Sequence, residues 1–270
     1  SRLYLQQHGK GGDRARKALL EKNIGLALLN TGDHHECIEH FDASLAWRGR
    51  SSSLRTGTAG LLQAGSALAR TWLSLWRRRR NAAAGKNGSA TPSAAELEGL
   101  EAEVMRAQAL VNVDPQRAFT AALSVVGRLE RMNASGVERA AELYADAAGF
   151  VAFSGASFSL SRRLLERGED LRSDDNFAGD FACRAMRFIA NCFGRHWNDS
   201  PLPATRDRET AMENGQLVLA SNYFGLAAER STWQGHWRNS ARMLDAVKRL
   251  VDLCGYDFAV SWRDAIPLYV

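Results

Sequence analysis

The chain has 270 residues, 45% hydrophobic and 24% charged, a composition ordinary for a soluble globular protein and ample for a sizeable core. Only five prolines stand against abundant Ala, Leu, Arg and Glu, and strand-like alternation is missing, so strand-based folds are excluded and helix is expected throughout. The formal charge of +5 comes largely from Arg77–Arg80; without that run the remainder is close to neutral, which argues against a general nucleic-acid-binding surface.

In chain order, the first strong signal is the segment 23–45, NIGLALLNTGDHHECIEHFDASL, which reads as one helical hairpin. Ile24 and Gly25 allow close approach of a second helix, Leu28 fills the seam, and Gly32-Asp33 supplies the turn. Cys37 sits where a small residue is wanted, and Phe41 and Leu45 continue the buried face. Such a hairpin cannot bury its apolar side alone and implies stacked neighbours. Similar turns recur at Gly155, Gly194 and Gly235, at intervals of 123, 39 and 41. A period near 40 therefore predicts a further turn near 114, where Asp114-Pro115 stands. The turn expected near 73 is missing, which marks 47–94 as an irregular insertion.

Within that insertion, Leu61, Leu62, Gly65, Leu68, Ala69, Trp72 and Trp76 recur at helical spacing and predict an amphipathic helix over 54–80 that packs on the repeats. The stretch 81–93, NAAAGKNGSATPS, is expected to be a flexible loop. Further along, 144–168 and 222–251 give good hairpins. Around Gly194 the second helix is broken by Asn198-Asp199-Ser200-Pro201-Leu202-Pro203 and is expected to restart near Thr205 and run toward Asn214. Tyr256 to Leu268 reads as the first helix of a truncated pair. Both ends look like cuts through a longer chain, with 1–270 forming a single helical-repeat domain.

The search for chemistry finds no catalytic constellation and gives no reason to expect a cofactor. His34, His35, Glu36, Glu39 and His40 imitate a zinc-protease helix, but glutamate stands at the second ligand position and His40 falls off His35's face, so no metal is expected. Gly85-Lys86-Asn87-Gly88-Ser89 lacks the glycine spacing of a phosphate loop. Cys37, Cys183, Cys192 and Cys254 have neither metal nor disulfide spacing and are expected to be buried free thiols, which suits a cytoplasmic setting.

The segments 23–45, 148–171 (AGFVAFSGASFSLSRRLLERGEDL) and 223–259 (YFGLAAERSTWQGHWRNSARMLDAVKRLVDLCGYDFA) resemble the long tetratricopeptide-like repeats of large bacterial signalling ATPases, such as the MalT-type regulators and ATPase-bearing cyclases or kinases. The resemblance implies an all-α, right-handed superhelix of antiparallel helix pairs whose first helices line a concave groove. It also implies a non-catalytic arm for protein interaction or effector sensing, joined to neighbouring domains of the same chain. Projecting the tetratricopeptide phase gives the candidate groove residues Asn23, Asn30, Asp146, Arg184, Phe188, Asn191, Asn222, Glu229 and Trp233, which suit a peptide backbone or a polar small effector. Two alternatives remain open. One is an all-α enzyme with a pocket at the irregular middle; the other is a nucleic-acid or membrane-surface module using Arg77–Arg80. Neither nucleic acid nor membrane is the expected partner.

Overall fold

The structure, a computed structural model, describes residues 12–50, 54, 56–83, 92–131, 137, 139–172 and 176–254. Among these the chain forms eleven helices and no strand. They fall into two compact units, Ser1–Val137 and Glu138–Val270.

The first unit opens on the hairpin read from the sequence, α1 (Gly12–Thr31) and α2 (His34–Trp47). Gly32 has φ +83°, and the Asp33 N–H reaches back to the Leu28 carbonyl at 3.0 Å, so the last turn of α1 is closed by a left-handed glycine. The Asp33 carboxylate then accepts from the Glu36 N–H and caps α2. A Cβ on Gly25 would stand 2.9 Å from the wholly buried Phe41 ring, which explains why the two helices can close here. Ser44 Oγ donates to the Ala18 carbonyl at 2.6 Å across the same seam.

Helix α4 (Ala94–Val113) packs on α2, and α5 (Pro115–Leu129) packs on α4. Ser93 and Glu96 form a reciprocal cap at the start of α4. Asp114 both ends α4 and caps α5, accepting from the Arg117 N–H at 3.0 Å, so the turn expected near 114 is present.

The helix expected over 54–80 is present, but its bounds and its buried side differ from expectation. Residues 57–83 form one continuous helix, α3 (Gly57–Ala83), which packs on α5. Of the expected loop 81–93, residues 81–83 belong to α3 and 84–91 lie outside the described residues. The buried side of α3 is Gly60, Ala64, Ala67 and Thr71, whereas Leu61, Leu62, Trp72 and Trp76 are exposed. The small residues let α3 sit close to α5, where Thr71 Oγ1 donates to the Leu123 carbonyl. Large side chains would hold the helices apart, so they take the other faces.

The second unit is three consecutive helix pairs: α6 (Ala140–Phe153) with α7 (Phe158–Asp170), α8 (Phe177–Phe193) with α9 (Thr205–Glu213), and α10 (Leu217–Trp233) with α11 (Trp237–Cys254). First helices also pack on one another, α6 on α8 and α8 on α10, and α7 and α9 each contact the first helix that follows. The α8–α9 connection contains Pro201 and Pro203, and α9 begins at Thr205 as the prolines foretell. The fragment Tyr256–Leu268 lies outside the described residues.

The repeat length is set by backbone conformation. In the turn inside each pair the left-handed residue is Gly155 (φ +66°), Arg195 (φ +61°) and Gly235 (φ +73°) in succession, spaced forty apart along the chain, while Gly215 (φ +69°) is left-handed in the turn between α9 and α10. Gly194, read from the sequence as the turn residue, has φ −77° and only caps α8; the left-handed position falls on the following arginine. After Arg195 and Gly235 the closing bonds match, with His196 N–H to Asn191 O and His236 N–H to Ser231 O both 2.8 Å.

A left-handed arginine carries a steric cost that glycine avoids. Arg195→Gly is expected to stabilise the fold by about 1 kcal/mol, and Gly235→Ala to destabilise it by about 1 kcal/mol. Urea unfolding followed by circular dichroism checks both.

Candidate functional site

The residues projected onto a groove divide between the units. Asn23 lies exposed on α1, and the Asn30 side chain lies outside the described residues. The other seven stand on the first helices of the second unit. Asp146 is half-buried on α6. On α8, Arg184 donates from Nη1 to Asp207 Oδ1 and from Nε to Asp180 Oδ2, both at 2.8 Å. Burial disfavours its charge, but the two carboxylates more than compensate, and its pKa stands above the ordinary arginine value. Asn191 Nδ2 donates to Ser200 Oγ at 2.7 Å. Arg184 and Asn191 thus fasten the broken segment and the start of α9 to α8.

Phe188 must be corrected. It is wholly buried, against the Tyr223 ring at 5.1 Å and beneath the Arg230 guanidinium at 4.4 Å. It belongs to the α8–α10 seam and presents nothing to a ligand, because α10 covers that side of α8.

On α10, Asn222, Leu226, Glu229 and Trp233 follow one another at helical spacing and lie along one side. Asn222 Oδ1 is closed off from solvent and has no hydrogen-bond partner among the described residues. Burial raises the Glu229 carboxyl above its ordinary value. Trp233, at the end of this stripe, meets Trp197 edge-on with ring centres 5.8 Å apart.

Two features escaped sequence reasoning. The first is Arg230, buried although it sits among surface-like charges in the sequence. Its Nη1 donates to the Trp197 carbonyl at 2.5 Å and the Ser200 carbonyl at 3.0 Å, and burial lowers its pKa. Trp197 is held in turn by Nε1 donating to the Cys192 carbonyl at 2.9 Å. This arginine pins the proline-broken segment, replacing the backbone bonds a continuous helix would have supplied.

The second is an aromatic ridge. Phe153, Phe193 and Trp233 are the last residues of α6, α8 and α10, spaced forty apart, and they are 57%, 38% and 70% exposed. Phe153 and Phe193 meet edge-to-face with ring centres 5.5 Å apart. Phe158 and Trp237, each the first residue of a second helix, are exposed beside the same turns. Only Trp233 was legible as a candidate; aligning the chain on a forty-residue repeat brings out the other two.

Burial pushes the Cys37 and Cys183 thiols up to about 12 and Cys192 to about 11, which leaves these free cysteines without thiolate character at neutral pH. Among the described residues no group of His, Cys, Asp and Glu could hold a metal ion, and no helix is long and apolar enough to cross a membrane. No family model, curated protein or solved structure matches this chain.

Removing the Arg230 guanidinium leaves two buried carbonyls unbonded and a cavity over Phe188. Arg230→Ala is therefore expected to cost about 3 kcal/mol in chemical denaturation. Glu229 works in the opposite sense. Its folded pKa lies above its unfolded one, so ionisation weakens the fold and stability from this group falls as pH rises through that window. Glu229→Gln should be the more stable protein at neutral pH, with the advantage fading as pH falls and absent below the ordinary carboxyl value of 4.5. Thermal midpoints measured across pH test the sign.

Proposed function

We propose that the second unit is a tetratricopeptide-like interaction module that acts by binding a protein segment along its first helices. On this reading the successive pairs stack as turns of a superhelix, and α6, α8 and α10 face the ligand. The observation that carries the proposal is the aromatic ridge: large apolar side chains recur at one structural position in three successive repeats and are left in solvent each time. A single exposed aromatic is ordinary, but a periodic row of them marks a contact surface. Beside the row, the half-buried Glu229 carboxyl is a polar group suited to the N–H groups of an extended backbone. The resemblance of this region to the repeat arms of signalling ATPases fits the same role, a non-catalytic arm that reports partner binding to neighbouring domains.

The test starts from peptides selected against the purified chain out of a random library. Their binding should protect amides of α6, α8 and α10 from hydrogen exchange. Affinity should fall by at least about tenfold in a Phe193→Ala/Trp233→Ala variant of unchanged circular dichroism, since exposed aromatic anchors carry much of such interfaces. Peptides that protect other helices, or that bind the variant equally well, would remove the basis for this reading.

A further inference from the structure

A recess of about 270 Å³ opens between α9, α10 and α11, and none of the ridge residues lines it. Its walls carry three arginines: Arg208 from α9, and Arg242 and Arg249 from α11. The latter two are seven residues apart and so share one side of their helix. Thr205, in the first turn of α9, adds a hydroxyl at the positive end of that helix. The floor is apolar, formed by the almost wholly buried Phe224 and Met243.

Arg208 is the informative member. It is only 9% exposed, yet its Nε has no hydrogen-bond partner. Its Nη2 donates at 3.3 Å to the exposed Glu209, which does not line the recess. A buried guanidinium with an idle donor, balanced only by the exposed Glu209, is costly, and the charge of an anion in the recess that Arg208 lines would offset that cost. The single carboxylate on the walls, Asp245, is already engaged by Arg249 at 3.1 Å and offsets only part of the positive charge.

We propose that this recess binds a small phosphate monoester, with Arg208, Arg242 and Arg249 around the phosphoryl oxygens and a compact apolar group on Phe224 and Met243. Arginine's planar fork suits bidentate capture of phosphate oxygens, and three of them suit a dianion better than a carboxylate. The volume lies just below the range of pockets for drug-sized ligands and suits a phosphate with a few attached carbons.

The test is titration calorimetry of the full chain with inorganic phosphate and phenyl phosphate, at ionic strength held constant with sodium chloride. Both should bind saturably, phenyl phosphate the more tightly, and both more tightly at about pH 8 than at about pH 5, because the monoester becomes a dianion near pH 6. Arg242→Gln/Arg249→Gln, at solvent-facing positions where folding should be kept, is expected to weaken binding at least about tenfold. Asp245→Asn should act oppositely and tighten it, an independent readout should the arginine variant fold poorly. Trp233→Ala should leave it unchanged, which separates this site from the ridge. Heats no larger than those of chloride, or equal affinity in the wild-type and arginine variants, would overturn the assignment.

Discussion

The second unit depends on how closely two helices approach one alanine of a third. A Cβ added to Gly168 of α7 would lie 3.0 Å from the Ala141 carbonyl oxygen, and one added to Gly179 of α8 would lie 3.0 Å from the Ala141 Cβ. Ala141 of α6 is thus the point on which the following two helices close, and the absent methyl groups set the distance. Cys183 fits the same junction because its side chain is small; the same added Cβ at Gly168 would stand 3.1 Å from its sulfur. The aromatic core, where Tyr223 bridges Phe181 and Phe188, is built outward from that spacing. The ridge in turn exists because helices so fixed end side by side with their last residues in line.

Charge is buried in both units, with different solutions. In the first, Arg106 lies inside the fold 2.6 Å from Asp42, and Glu103 is held at 2.6 Å by Arg128. Burial still raises the Glu103 pKa against the pull of its arginines, so desolvation outweighs the pairing there. In the second, the buried Asp207 is likewise paired with Arg184, but Arg230 meets neutral carbonyls and an aromatic face instead of a carboxylate. Such partners cannot be lost by protonation, and this holds the broken segment across a wide range of pH.

Much of the local architecture was legible because it follows from spacing. Gly32, Phe41 and Leu45 specify the first hairpin, Asp114-Pro115 specifies a corner, and two prolines specify where α9 can begin. The errors share one cause: period identifies the residues on a helix stripe, but not what covers that stripe. Phe188 shares a stripe with Arg184 and Asn191, and only the position of α10 shows that it is covered. On α3 the leucines and tryptophans made the stronger pattern, yet contact was decided by Gly60, Ala64, Ala67 and Thr71, which score weakly as hydrophobic and strongly as thin. The displacement of the left-handed turn from Gly194 to Arg195 was hidden because a glycine marks conformational freedom without requiring its use. The recess lay beyond sequence altogether, since Arg208 looks like any surface arginine until its burial is known.

The bonds from Arg230 to the Trp197 and Ser200 carbonyls join a helix of one repeat to the irregular segment of the repeat before it. Repeat proteins commonly grow and shrink by whole modules, because each module contacts only its neighbours and through a recurring interface. Here the third pair completes the second. A deletion that removed α10 and α11 as one cassette would strip the segment after α8 of its anchor, and a copy of the second pair placed elsewhere would arrive without one. These two pairs therefore depend on one another as a single block of four helices.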